Sequence, residues 1–147
     1  GFRDQSGPNL IQDIEIDGFQ TGVNHGWCWG GTLSRVRIQN ASDVGVNVVA
    51  TAVGIEDLIV LDTPTALRCT YPNDWTWWGG VVALTGGRFA TSTPAQAAIE
   101  NTSILYAANV RTKGYTEAVK GTNKAQVDEY VTSDHRRSLT KNSEGGS

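Results

Sequence analysis

Ile11-Gln12-Asp13-Ile14-Glu15-Ile16, Leu33-Ser34-Arg35-Val36-Arg37-Ile38 and Ile55-Glu56-Asp57-Leu58-Ile59-Val60 are three copies of one pattern: apolar, two residues, apolar, one residue, apolar. They start at 11, 33 and 55, a constant step of 22. Two weaker copies follow, Leu84-Gly87-Phe89 and Leu105-Ala108-Val110, after intervals of 29 and 21. A second half of the pattern, a small residue and then an apolar one, recurs as Gly22-Val23, Gly45-Val46, Ala66-Leu67, Ala98-Ile99 and Ala118-Val119. Ile14 and Ile16 fall on one face of an extended chain, with Asp13, Glu15 and Asp17 on the other, so the copies read as short strands.

Short strands joined by Gly, Asn, Asp, Thr and Pro turns at such a period describe a solenoid whose coils pair with their neighbours about 4.8 Å away. The expected fold is therefore all-β, a right-handed parallel β-helix of about five coils, some 24 Å long. A leucine-rich repeat has a similar period, but its Leu-rich consensus with a fixed Asn is absent. Adding 22 sets Asp13 against Arg35, Arg35 against Asp57 and Glu15 against Arg37, a favourable charge ladder on a solvated face. Asn24 and Asn47 each follow a second-half dipeptide and are expected to form a hydrogen-bonded ladder. The longer fourth interval places an insertion around Tyr71-Pro72-Asn73-Asp74-Trp75-Thr76-Trp77-Trp78-Gly79-Gly80. The β-helix is expected over residues 1–120, with 121–147 a polar tail that leaves it, partly disordered or extended.

Composition narrows the function classes. The 147 residues are 39% hydrophobic and 18% charged, a balance suited to one domain with a real core. A net charge of −3 with scattered Lys and Arg gives no footprint for nucleic acid. No apolar run approaches the roughly 18 residues of a membrane span. Met is absent, which suggests a processed product or an excerpt of a longer polypeptide. Cys28 and Cys69 allow one disulfide but match no zinc or redox spacing. Asn40-Ala41-Ser42 and Asn101-Thr102-Ser103 fit the glycosylation triplet.

Asn9-Leu10, the five coils, Pro72-Asn73-Asp74-Trp75-Thr76-Trp77-Trp78, Ala98-Ile99-Glu100-Asn101, Leu105-Tyr106-Ala107 and Asn109-Val110-Arg111-Thr112-Lys113-Gly114-Tyr115 together resemble pectate-lyase-superfamily β-helices related to family 55 glycoside hydrolases. The resemblance covers roughly residues 5–120, only part of such a molecule. It implies a secreted, extracellular protein that acts on or binds polysaccharide. No catalytic carboxylate motif matches residue by residue.

All five Trp fall in two clusters, Trp27 with Trp29, and Trp75 with Trp77 and Trp78, at the same turn of coils one and three. Coil two has only Ala50-Thr51-Ala52 there, so the clusters are expected to flank a gap of about 10 Å, two coil spacings. Indole faces suit the apolar C–H faces of sugars, so Trp27, Trp29, Trp75, Trp77, Trp78 and Asn73 form the candidate carbohydrate site. The alternatives are that these rings pack over the solenoid flank or meet another chain.

Glycoside hydrolysis needs two carboxyl groups flanking the bond, and lyase chemistry needs a base with a charge-neutralising group. Asp43, Asp62, Asp74 and Glu100 are the carboxylates at turns, and spacing singles out no pair. Asp74, His25 and Glu100 are the catalytic candidates if the chain is an enzyme. His25 and His135 are isolated and no calcium-loop pattern occurs, so neither a metal nor a cofactor is expected. The competing reading is a structural subunit that stacks on a flanking β-helical module or an identical chain, because solenoid ends expose unpaired strand edges unless capped.

Overall fold

The computed structural model of the protein describes residues 2–4, 9–26, 30–71, 81–121 and 125–130. Among these residues ten strands form one sheet in which every pairing is parallel: β1 (Phe2–Asp4), β2 (Asn9–Asp17), β3 (Thr21–Gly26), β4 (Gly31–Gln39), β5 (Val44–Val49), β6 (Val53–Leu61), β7 (Thr65–Thr70), β8 (Val81–Asn101), β9 (Ile104–Lys120) and β10 (Ala125–Tyr130). Among the described residues no helix occurs, and so none that is long and apolar enough to cross a membrane. The fold is a parallel β-helix. One wall stacks β2, β4, β6, the first half of β8, the first half of β9 and β10; the other stacks β1, β3, β5, β7 and the second halves of β8 and β9. The five rungs from β2 to the first half of β9 enclose about four full turns, slightly fewer than five complete coils.

The repeated hexapeptide has a backbone cause. Asp13, Arg35, Asp57 and Asn109 have φ between 52° and 58°, and Gly86 has φ 81°. These five residues occupy the same place on successive rungs, where a left-handed residue bends the strand and turns the apolar residues on both sides inward. That bend is why the apolar spacing is three and then two. Each non-glycine left-handed residue costs roughly 1–2 kcal/mol, offset here by burial of the flanking side chains. A second column of positive φ, at Gly18, Asn40, Asp62 and Gly114, makes the corner between the walls. There Gly18, Asn40 and Asp62 donate their N–H groups to the carbonyls of Gln39, Leu61 and Ala90 one rung on.

The interior consists of stacked rows: Ile11, Leu33, Ile55, Leu84 and Ala107; Ile14, Val36, Leu58, Gly87 and Val110; Ile16, Ile38, Val60, Phe89 and Thr112. The facing wall contributes Val23, Val46, Leu67, Ile99 and Val119. The rows are almost wholly buried except at their ends, where Ile14, Ile16 and Val119 are only partly covered. Glycine is required before Val23 and Val46: a Cβ on Gly22 would meet the Gly45 carbonyl at 2.6 Å, and one on Gly45 the Ala66 carbonyl at 2.6 Å.

The fifth rung corrects the sequence register. Leu105 pairs with Val82, and it is Ala107 that stacks on Leu84, so the fifth copy is Ala107-Val110-Thr112, not Leu105-Ala108-Val110. The left-handed position must fall on Asn109, and the buried slot after it is filled by Thr112, which an apolar template passes over. The long interval is explained by ten residues between β7 and β8, against three between β5 and β6. A smaller insertion at 91–94 breaks the pairing of β8 with β9. Within the segment 121–147, Ala125–Tyr130 runs along the first half of β9; residues 122–124 and 131–147 lie outside the described part.

Candidate functional site

Trp27, Trp29, Asn73, Asp74, Trp75, Trp77 and Trp78 lie outside the described residues, so the indole platform has no described geometry. The remaining candidates do. His25 lies on β3 with its side chain in the core, in the inward row His25, Val48, Cys69 and Asn101, and not in a turn. Its imidazole packs so closely on Gly31 that a Cβ there would meet Cε1 at 2.8 Å. Cys69 is a free, buried thiol, and burial pushes its pKa up. Asn101 is buried too, donating to the Ser103 carbonyl and accepting from the Ser103 N–H, so its amide is committed within the chain.

Glu100 stands on the outer face of the second wall in the column Asn24, Asn47, Arg68, Glu100 and Lys120. The expected ladder is present, with Asn47 Nδ2 donating to Asn24 Oδ1 at 3.0 Å. Arg68 then gathers two carboxylates: Nε donates to Glu100 at 2.9 Å, and the two terminal nitrogens donate to both oxygens of Asp43 at 3.1 and 3.2 Å. Both acids face a fixed guanidinium, a geometry that suits a structural clamp better than proton transfer. Asp62 is held apart from them by the N–H and hydroxyl of Ser92, which keep its carboxyl below the usual range. Among the described residues no three His, Cys, Asp or Glu side chains are grouped to hold a metal ion.

The feature that sequence reasoning missed is on the first wall. A shallow groove of about 200 Å³ crosses rungs three to five, lined by Asp57, Ile59, Arg88, Asn109 and Arg111 beside Gly86 and Gly87. It exists because rung four has glycine at the bend, where neighbouring rungs carry Asp57 and Asn109. A Cβ on Gly86 would meet Asp57 Oδ1 at 2.8 Å, so the carboxylate leans into the space that the missing side chain leaves. The volume is below the 300 Å³ or more of pockets that enclose drug-sized ligands, and suits one small group on an extended ligand.

The charges around this groove are unusual for the molecule. Arg35 is paired with Asp13, Arg37 with Glu15 at 3.6 Å, and Arg68 with Asp43 and Glu100. Arg88 and Arg111 are direct register partners on adjacent rungs, both exposed, and neither has an ion pair or hydrogen bond among the described residues. Lys113 extends the same outer face two residues further on. Tyr106, 45% exposed, stands on rung five of this wall, in a column with the small residues Gly54 and Ala83. The signal available in the sequence was Gly86-Gly87 at a bend position, followed by Arg at 88 and again at 111.

No family model matches the chain, and no curated protein or solved structure matches it significantly.

Proposed function

We propose that this chain is a β-helical module of an extracellular carbohydrate-active protein, similar to the family 55 glycoside hydrolases, and that it binds an extended polysaccharide along the outer face of its first wall. The observation that carries this reading is the groove across rungs three to five, where Gly86 opens space between Asp57 and Asn109. Polar groups that converge on a shallow trough suit the hydroxyls of one sugar unit, while the exposed ring of Tyr106 offers a face for stacking. The Trp-bearing connections, 27–29 and 72–80, join the second wall back to the first. Trp27, Trp29, Trp75, Trp77, Trp78 and Asn73 are assigned to the same ligand as a second platform. Binding is favoured over turnover because His25 is in the core and Glu100 is held by Arg68.

Retention on a panel of insoluble and immobilised polysaccharides tests the proposal. Asn109→Ala and the pair Trp75→Ala with Trp77→Ala are expected each to weaken binding about tenfold, the loss of roughly 1.4 kcal/mol. Wild-type protein that binds no member of the panel, or binding untouched by either substitution, overturns it.

One observation favours a second reading, end-to-end stacking. β2 ends the strand order, and near it Leu10 and Phe19 are 60% and 50% exposed while Ile14 and Ile16 are only partly covered. Such an edge suits another strand. Sedimentation at high concentration is expected to show association that Leu10→Lys abolishes; a strict monomer with β2 amides fully protected from exchange excludes it.

A further inference from the structure

We infer that the Arg88–Arg111 pair is a binding site for an oxyanion, a carboxylate or sulfate ester, carried by the polysaccharide, so that the ligand is an acidic glycan; this rests on the reading that the first wall binds polysaccharide. Like charges directly opposed on neighbouring strands are unfavourable, and the other three arginines with described side chains each face a carboxylate. Arg88 and Arg111 face each other instead, at a rung spacing of about 4.8 Å, in a chain whose net charge is −3. Two guanidinium groups at that separation bracket one oxyanion, each with donors enough for both oxygens on its side.

The surroundings direct the anion. Asp57 repels it from the rung-three side, and the charge of Asp57 is itself faced by Arg35. Asn109 lines the rung-five side with an amide able to donate, and Lys113 adds positive charge beyond it. In β10 the backbone of Glu129 and Tyr130 pairs with Ala108 and Val110, at the bend. The groove is too small for a folded ligand and is open along the wall, as a pendant group on a passing chain requires.

One backbone in three forms isolates the charge: dextran, carboxymethyl-dextran and dextran sulfate, titrated into the whole chain by calorimetry. At least one anionic form is expected to bind ten times or more tightly than dextran, and the preferred one identifies carboxylate or sulfate. Arg88→Gln and Arg111→Gln should each remove tenfold or more of that preference. Arg37→Gln, on the same face but already paired with Glu15, should leave it unchanged. Thermal melts confirm that the variants fold. Equal affinity for dextran and both anionic forms, or an Arg37→Gln loss as large as that of Arg88→Gln, overturns the site as a specific one. Sulfate ion followed by NMR of the arginine side chains separates the two readings. Shifts at Arg88 and Arg111 with no polysaccharide bound support the anion site and refute the polysaccharide. Dextran binding with no such shifts refutes the anion site alone.

Discussion

Replacing Gly87 with alanine should destabilise the protein through one identifiable contact. Gly87 stacks between Leu58 and Val110, in a row where the other rungs place a branched aliphatic side chain. Its glycine is matched to Phe89, whose ring fills the vacated space: a Cβ at 87 would lie 2.9 Å from Cζ and 3.4 Å from both Cε atoms. Comfortable carbon contacts are about 3.5–4.0 Å, so the ring must retreat by about half an ångström. Phe89 is 1% exposed and has no solvent to retreat into. Overpacking of this kind costs roughly 1–3 kcal/mol, which for a chain of 147 residues is a fall in Tm of about 3–9 °C. Urea unfolding followed by circular dichroism measures it, with the slope unchanged if only the native state is affected. The decisive comparison is a double-mutant cycle. Phe89→Leu removes the ring, so Gly87→Ala in that background should be neutral or stabilising, a coupling of 1 kcal/mol or more. An equal loss in both backgrounds refutes the account, because the penalty then comes from something other than the ring.

Tyr115→Phe removes the 2.6 Å hydrogen bond from the buried phenol to the Thr63 carbonyl and should cost about 1 kcal/mol in the same assay. Arg68→Ala releases Asp43 and Glu100 together; because all three side chains are partly exposed, the loss should stay near 1 kcal/mol and shrink in high salt. The Asp62 carboxyl, held below its ordinary value of 3.8 by the Ser92 N–H and then the Ser92 hydroxyl, stabilises the fold above that value and ceases to do so as pH falls through the lowered one. Carboxyl NMR titration of Ser92→Ala, which keeps the backbone donor, should show only part of that depression lost. In a Cys28→Ser variant, Cys69 should resist thiol reagents until the chain unfolds, since it is buried and its thiol pKa is raised.

The first three rungs were legible because their left-handed residues sit between strongly apolar neighbours at a constant step of 22. Rung five slipped because Thr112 fills a core slot with a polar side chain and Ala108 mimics an apolar one. Asn109, a residue type that tolerates left-handed backbone, was the better marker of register. The Asp13–Arg35 and Glu15–Arg37 pairs followed from adding 22. Asp57 did not join Arg35 in a hydrogen bond, since Gly86 gives its carboxylate room on the other side. The Arg68 clamp was hidden because Asp43 and Glu100 are 25 and 32 residues from it, distances fixed by turn lengths and the 91–94 insertion. The groove was hidden for the same reason: Asp57, Gly86 and Asn109 are brought into line by unequal coils.

The bend column also carries a rule of parity. Along it the side chains alternate, Asp13, Arg35, Asp57, while the apolar rows behind are nearly interchangeable from rung to rung. Excising residues 31–52 would close the core without a gap, Ile11 upon Ile55, yet set Asp13 against Asp57. Duplicating that same stretch would set arginine against arginine. Only steps of two rungs preserve the alternation, so in this part of the molecule packing repeats every rung, whereas electrostatics repeats every second one, and the solenoid can be lengthened or shortened cleanly only in pairs.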